Sequence, residues 1–215
     1  MTNLAESLKE ICRDLEELNE AFALVGGLAV SARAEPRLTR DADLAVDVAD
    51  DAQAERLVHF LQARGYTVIA AVEQETTGRL ATIRLSKGNS GGVVTDLLFA
   101  SSGIESEIVR GAESMEVLRG LVIPVAGVGH LIALKLLARD DRRRPLDADD
   151  LRALREIASE ADWNTAEAAV ALIEARGYAR GRPLALGTSR ARCLLEPTES
   201  RAMVSLGFPM RLSSQ

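Results

Sequence analysis

Two acidic residues spaced two apart carry the first chemical signal in this chain. In Asp41-Ala42-Asp43-Leu44-Ala45-Val46 acidic and apolar residues alternate, and a strand of period two sends Asp41 and Asp43 to one face and Ala42, Leu44 and Val46 to the other. Two carboxylates this close repel each other, and a cation is the simplest way to keep both ionised at neutral pH; magnesium is the expected occupant. A third acid, Asp96, sits inside Val93-Val94-Thr95-Asp96-Leu97-Leu98-Phe99, where a carboxylate in an otherwise apolar strand needs a partner or a metal. If that strand neighbours the Asp41 strand, three carboxylates converge.

Gly26-Gly27 supplies the complementary feature. The pair follows the apolar run Phe22 to Val25 and precedes a segment that should begin a helix, so unpaired amides and the positive helix end would face an anion such as phosphate. An anion site beside a metal site suggests a metal-bound nucleotide. Neither GxxxxGK[ST] nor GxGxxG occurs, which excludes a Walker-type phosphate loop and a dinucleotide fold. Alone, a Gly-Gly turn or an Asp-x-Asp strand edge is commonplace; the order and spacing of the pieces carry the information.

The elements that must position these residues follow from periodicity. Leu4, Leu8, Ile11, Cys12, Leu15 and Leu18 mark an amphipathic helix. Phe22 to Val25 predicts a strand, Leu28 to Ala34 a helix, Asp41 to Asp47 a strand, and Ala52 to Arg64 a helix closed by Gly65. Tyr66 to Val72, Leu80 to Leu85 and Gly92 to Phe99 are strand candidates, with turns at Gly78 and at Gly88 to Gly91. Ile104 to Gly111 predicts a helix and Leu121 to Pro124 a short strand. Helices then follow over Val128 to Arg139, Asp147 to Ser159 and Thr165 to Ala175. The expected division is a mixed α/β core over 1–124 with about five strands, a helical segment over 125–178, and a basic tail over 179–215 that is disordered or wraps the core.

Composition narrows the class. The chain has 215 residues, 47% hydrophobic and 27% charged, an ordinary globular balance that excludes a large multidomain machine. Cys12 and Cys193 form no CxxC, and His59 and His130 are the two histidines, so a disulfide framework, a zinc-cysteine site and a histidine-rich metal site are all excluded. Residues 121–138 come nearest to a membrane span, but Pro124, two glycines, His130 and Lys135 interrupt them, which reads as a strand end and a core helix. Glu6 and Glu10 stand where a signal peptide would need a basic stretch before an apolar one, so a cytoplasmic protein without membrane association is expected. Net charge is −6, yet residues 176–215 hold seven Arg against two Glu, +5, leaving −11 for the rest. That unevenness leaves room for a phosphate-bearing partner in an acidic protein.

The stretches Val25-Gly26-Gly27-Leu28-Ala29-Val30, Leu38-Thr39-Arg40-Asp41-Ala42-Asp43-Leu44 and Thr95-Asp96-Leu97 together resemble the nucleotidyltransferases of the DNA polymerase β superfamily. The helical stretch Leu131 to Ala138, followed by Asp147 to Leu151, is similar to the AbiEii-type toxin and minimal nucleotidyltransferase branch. The resemblance spans roughly residues 20–180. It implies an α+β fold, a polymerase β-like mixed sheet with flanking helices followed by a C-terminal helical segment. It further implies that Asp41, Asp43 and Asp96 bind two magnesium ions, Asp96 also helping to deprotonate the attacking hydroxyl, and that Gly26 and Gly27 cradle the triphosphate. Lys135 would reach a triphosphate oxygen, and Asp147 or Asp150 would fill the acidic position downstream of it. Arg40 is either a phosphate contact or a surface arginine. The implied reaction moves a nucleoside monophosphate from a nucleoside triphosphate to an acceptor hydroxyl: an RNA 3′ end such as tRNA, a protein, or a small molecule. A role as the toxin of a toxin-antitoxin pair, with a cognate antitoxin as partner, follows from the same branch. Arg176, Arg180, Arg182, Arg190 and Arg192 favour RNA among the acceptors, since they could follow a phosphate backbone.

One departure stands out. Leu28 occupies the place where many relatives carry a serine after the glycine, and Ser31, one turn on, is the substitute available. Two other readings compete. Gly88-Asn89-Ser90-Gly91-Gly92 satisfies G-x-S-x-G and, with His130, suggests a serine hydrolase using Ser90, but a nucleophile elbow needs a helix after the serine and a strand pattern follows instead. A non-catalytic relative serving as a binding or antitoxin-like protein would have no need of three acids in apolar strands.

Overall fold

The computed structural model describes residues 2–34, 39, 41–88, 93–138 and 145–184. Their strands are β1 (Phe22–Val25), β2 (Asp41–Val46), β3 (Tyr66–Glu73), β4 (Leu80–Lys87), β5 (Val94–Leu98), β6 (Glu113–Leu118) and β7 (Leu121–Val125). They form one mixed sheet in the order β3-β4-β5-β2-β1-β7-β6. The described helices are α1 (Thr2–Glu17), α2 (Gly26–Arg33), α3 (Asp51–Ala63), α4 (Glu105–Arg110), α5 (Val128–Ala138), α6 (Pro145–Ile157) and α7 (Glu160–Ala175).

The centre of the sheet explains its sequence. All four residues of β1 are buried, as an uninterrupted apolar strand covered on both faces must be. β1 runs antiparallel to β2, and β2 runs parallel to β5. The sheet has more strands than the roughly five expected, and β6 is the one not anticipated. Its sequence Glu-Ser-Met-Glu-Val-Leu carries no apolar alternation because it is an edge strand, largely solvent-facing and paired with β7 alone; such a strand has only one neighbour to satisfy.

Leu8, Ile11, Cys12 and Leu15 of α1 and Ala54, Leu57 and Leu61 of α3 enter the core. The Asp50 side chain caps α3 by accepting from the Gln53 amide at 2.8 Å. The apolar run over 121–138 resolves into β7 and α5, and α5 is packed against α2, α6 and α7. No described helix is long and apolar enough to cross a membrane. Gly129 lets α5 approach α7 closely, since a Cβ there would lie 2.4 Å from the Asp162 carbonyl. Residues 1–184 form one compact unit, and residues 185–215 lie outside the described residues.

A buried polar contact ties α1 to the other end of the sheet. Asp14 is fully buried and accepts from the Tyr66 hydroxyl at 2.9 Å and from Arg64 at 2.8 Å. The Tyr66 hydroxyl is accordingly held well above its usual range by burial and by Asp14. Asp14→Ala leaves that hydroxyl without its acceptor, and urea denaturation should show a loss of about 1–3 kcal/mol; an unchanged midpoint would mean that water replaces the carboxylate.

Candidate active site

β2 and β5 lie side by side, and their register places Asp43 opposite Asp96 and Asp41 opposite Val94. Strand alternation therefore puts all three carboxylates on one face of the sheet. Asp41 is exposed, Asp43 half-buried and Asp96 buried. Asp43 is also the partner of Val25 across β1 and β2, so the chain leaves β1 and turns into α2 directly beside its carboxyl group. Gly26 makes that approach possible. Its φ is +67°, and a Cβ at this position would lie 1.9 Å from Asp43 Oδ2. The first glycine is thus required by Asp43 itself, a reason the sequence does not display.

No side chain caps α2 at Val25, so the first-turn amides of this helix face the site as donors. Ser31, the candidate substitute for a serine after the glycines, donates its hydroxyl to the Gly27 carbonyl at 3.0 Å and so serves its own helix.

A side chain that the sequence pattern did not single out completes the carboxylate group. Arg84 on β4 stands opposite Asp96 across the β4–β5 pair and grips it bidentately, Nε to Oδ1 at 2.8 Å and Nη2 to Oδ2 at 2.6 Å. The acid in an apolar strand, expected to need a partner or a metal, has an arginine as its partner. The signal available was faint: Arg84 is an isolated charge in Leu80 to Leu85, and its importance depends on a strand register that spacing does not reveal. The Asp96 hydrogen bonds in turn hold Arg84 firmly protonated.

Electrostatically, the site is short of positive charge. Burial, then the Asp96 charge, pushes the Asp43 carboxyl up from 3.8 to about 6, with Asp41 adding to the rise and Lys135 and Arg84 opposing it. A cation bound there would oppose this rise. Asp41 and Asp43 are the residues with capacity for one. Asp96 has both oxygens on Arg84, although each keeps a further lone pair. Among the described residues no ready-made group of three metal-ligating side chains exists.

Opposite the sheet, α5 presents Lys135, which is buried and bridges Asp147 at 2.8 Å and Asp150 at 2.7 Å. Both acids that the sequence offered hold the lysine. Asp147 Oδ2 is buried without a hydrogen-bond partner. A cleft of about 340 Å³ joins these groups, with Gly26, Gly27, Asp43, Asp96, Lys135 and Asp147 in its walls. Leu98, Leu131 and Leu134 form an apolar part of its lining, and Thr82, Ser101 and Arg180 contribute polar groups. Cavities of about 490 and 650 Å³ lie elsewhere, but neither contains the glycine turn or the paired carboxylates, so size does not choose the site.

Some expected residues fall elsewhere. Arg40, Ser90, Arg190 and Arg192 lie outside the described residues. Ser90 belongs to the connection between the antiparallel neighbours β4 and β5, so a strand and not a helix follows it. Arg176 and Arg182 are engaged within the protein, Arg176 with Glu107 at 2.8 Å and Arg182 with the Leu137 carbonyl at 2.7 Å.

The family model for the nucleotidyl transferase AbiEii toxin of type IV toxin-antitoxin systems matches residues 11–205. The chain belongs to this family. It is a nucleotidyltransferase, of a class that generally works with divalent metal ions. No curated protein sequence matches the chain. Among solved structures, the solution structure of the antibiotic-resistance factor ANT(2″)-Ia is 16% identical with a TM-score of 0.56, covering 83% of this chain and 97% of that one. The same factor in complex with adenylyl-2″-tobramycin is 17% identical with a TM-score of 0.51, covering 80% and 97%. An antigenic nucleotidyltransferase-like protein from Paracoccidioides brasiliensis is 15% identical with a TM-score of 0.51, covering 86% and 93%. At these identities the likeness is one of fold, and the fold is the expected one.

Proposed function

We propose that this nucleotidyltransferase transfers a nucleoside monophosphate from a magnesium-bound nucleoside triphosphate to a hydroxyl of an RNA 3′ end such as tRNA, and that it acts as the toxin of a toxin-antitoxin pair. The observation that carries the reading is the convergence of Asp43, Asp96, the uncapped amides of Gly26 and Gly27, and Lys135 on one cleft. Asp41 and Asp43 would hold the metal, with Asp96 joining them for a second ion. The metal supplies charge neutralisation at the reacting phosphate when bound. Gly26 and Gly27 direct amides at phosphate oxygens, and Lys135, set by Asp147 and Asp150, contributes a compact positive charge.

The acceptor oxygen attacks the α-phosphorus in line, the bond from that phosphorus to the β-bridging oxygen breaks, and pyrophosphate leaves. The acceptor proton passes to a free lone pair of Asp96, whose other lone pairs are fixed by Arg84. Two features support a macromolecular acceptor: the family is one of toxins, and residues 185–215 add four arginines against two glutamates. In the structurally similar ANT(2″)-Ia the adenylylated molecule is tobramycin, so a small-molecule hydroxyl is the competing acceptor class.

The test incubates purified protein with magnesium and each α-labelled nucleoside triphosphate. Total tRNA is offered in one series, lysate protein in a second and aminoglycosides in a third, with Asp41→Ala/Asp43→Ala as control. Label on tRNA from the wild type alone is the expected result. Label on protein or aminoglycoside would move the acceptor, and no label with any acceptor would remove the reading.

A further inference from the structure

Three charged side chains stand in one row across the sheet. Asp43 on β2 is opposite Asp96 on β5, and Asp96 is opposite Arg84 on β4; residues opposite one another on neighbouring strands share a face. The row ends on β3 at Ala70, the residue paired with Arg84. Ala70 is small, and the Arg84 side chain is 48% exposed where the Asp96 side chain that it grips is 12% exposed. Asp96 and Thr82 line the cleft that contains Gly26, Gly27 and Lys135, whereas Arg84 is not among the described residues of that lining. Arg84 therefore reaches the chemistry through Asp96 and not from inside the cleft.

The form of the contact indicates what it does there. A carboxylate turns broadly about its last torsion, and Asp96 must keep one direction if it is to take a proton from a hydroxyl held in line with the α-phosphorus. Arg84 Nε on Oδ1 at 2.8 Å and Nη2 on Oδ2 at 2.6 Å fix the plane of the group at two points. Each oxygen then keeps a further lone pair whose direction is fixed as well. A lysine ammonium would balance the charge of Asp96 but has no planar fork with which to set that plane.

We propose that Arg84 is a positioning residue for transfer, its guanidinium holding the Asp96 carboxylate in the plane from which Asp96 takes the proton of the acceptor hydroxyl. This role rests on the nucleotidyl-transfer reading above and adds to it a residue that acts from outside the nucleotide cleft.

The experiment measures turnover and KM for each α-labelled nucleoside triphosphate with magnesium, using whichever of tRNA, lysate protein and aminoglycoside the wild type labels. The full chain is compared with Arg84→Ala and Arg84→Lys, and the Arg84→Ala assays are repeated with guanidinium or methylammonium added. Melting temperature and Mg·NTP affinity are measured alongside. Arg84→Lys keeps a cation beside the buried Asp96, so this variant carries the test if loss of the charge unfolds Arg84→Ala. Turnover should fall by about 10²-fold in Arg84→Ala and about 10-fold in Arg84→Lys, the scale of effect that a misplaced group produces, with KM and Mg·NTP affinity unchanged. Guanidinium should restore Arg84→Ala and methylammonium should not, since the half-exposed position admits a small planar cation. Full turnover in either variant would overturn the role and leave the pair a structural one. A KM that rises while turnover holds would overturn it by making Arg84 a nucleotide contact, and equal rescue by the two cations would overturn it by showing that charge alone counts. A wild type that labels no acceptor would overturn the transfer reading and this role with it.

Discussion

Asp43→Asn should abolish nucleotidyl transfer and, in the absence of magnesium, stabilise the fold. The two effects have one origin. Burial and the Asp96 charge raise the Asp43 carboxyl from 3.8 to about 6, so the folded chain holds this proton more tightly than the unfolded chain. A raised carboxyl contributes stability that is fully present below about pH 4 and is lost as pH rises through about 6. Above that window the wild type carries an ionised, poorly compensated carboxylate, at a cost of up to about 3 kcal/mol. Asparagine has nearly the same shape and no charge, so at pH 8 the variant should unfold at higher urea than the wild type, and at pH 4 the advantage should vanish. Adding magnesium should close the gap by stabilising the wild type alone. Transfer, which needs the anion, should fall by about 10³-fold or more, the several kcal/mol expected of a lost metal ligand. Equal stability at pH 8 would show that Lys135 and Arg84 already compensate Asp43, and retained transfer would remove Asp43 from the metal site.

How far the sequence disclosed this site depended on whether the signal was local. Asp41 and Asp43 declared their common face through alternation, and the uninterrupted apolar run of β1 followed by two glycines marked the strand-to-helix turn. Asp96 was legible as an acid in an apolar strand. Its pairing with Arg84 was not, because Arg84 is neighbour to Asp96 only through an antiparallel register twelve residues apart in the chain. β6 escaped because an exposed edge strand is under no pressure to alternate. Residues 176–184 show no periodic pattern at all. They are held by contacts to Gly103, Glu107 and the end of α5, and each of these lies far off in sequence.

Gly26→Ala should damage the site and the fold together, by a route that runs through Asp43. Two separate costs are expected. An alanine at φ +67° occupies the left-handed region, worth roughly 1–2 kcal/mol. Its Cβ would then fall 1.9 Å from Asp43 Oδ2 and 2.7 Å from Asp43 Cγ, far inside contact distance, so the carboxyl must move. A displaced Asp43 carboxyl leaves its place beside Asp96 and Asp41, which should lower transfer by about 10²-fold or more, as misplacements of about 1 Å do. The costs can be separated with a second substitution. Asp43→Ala removes the obstructing atoms, so Gly26→Ala made in that background should show the backbone cost alone. The double mutant should therefore be more stable than the sum of the single changes predicts. If the two destabilisations simply add, the clash is relieved elsewhere and the close approach of Gly26 to Asp43 does not limit this turn. If Gly26→Ala also keeps full transfer, the glycine serves neither the carboxylate nor the phosphate, and the turn has been assigned a role that it does not play.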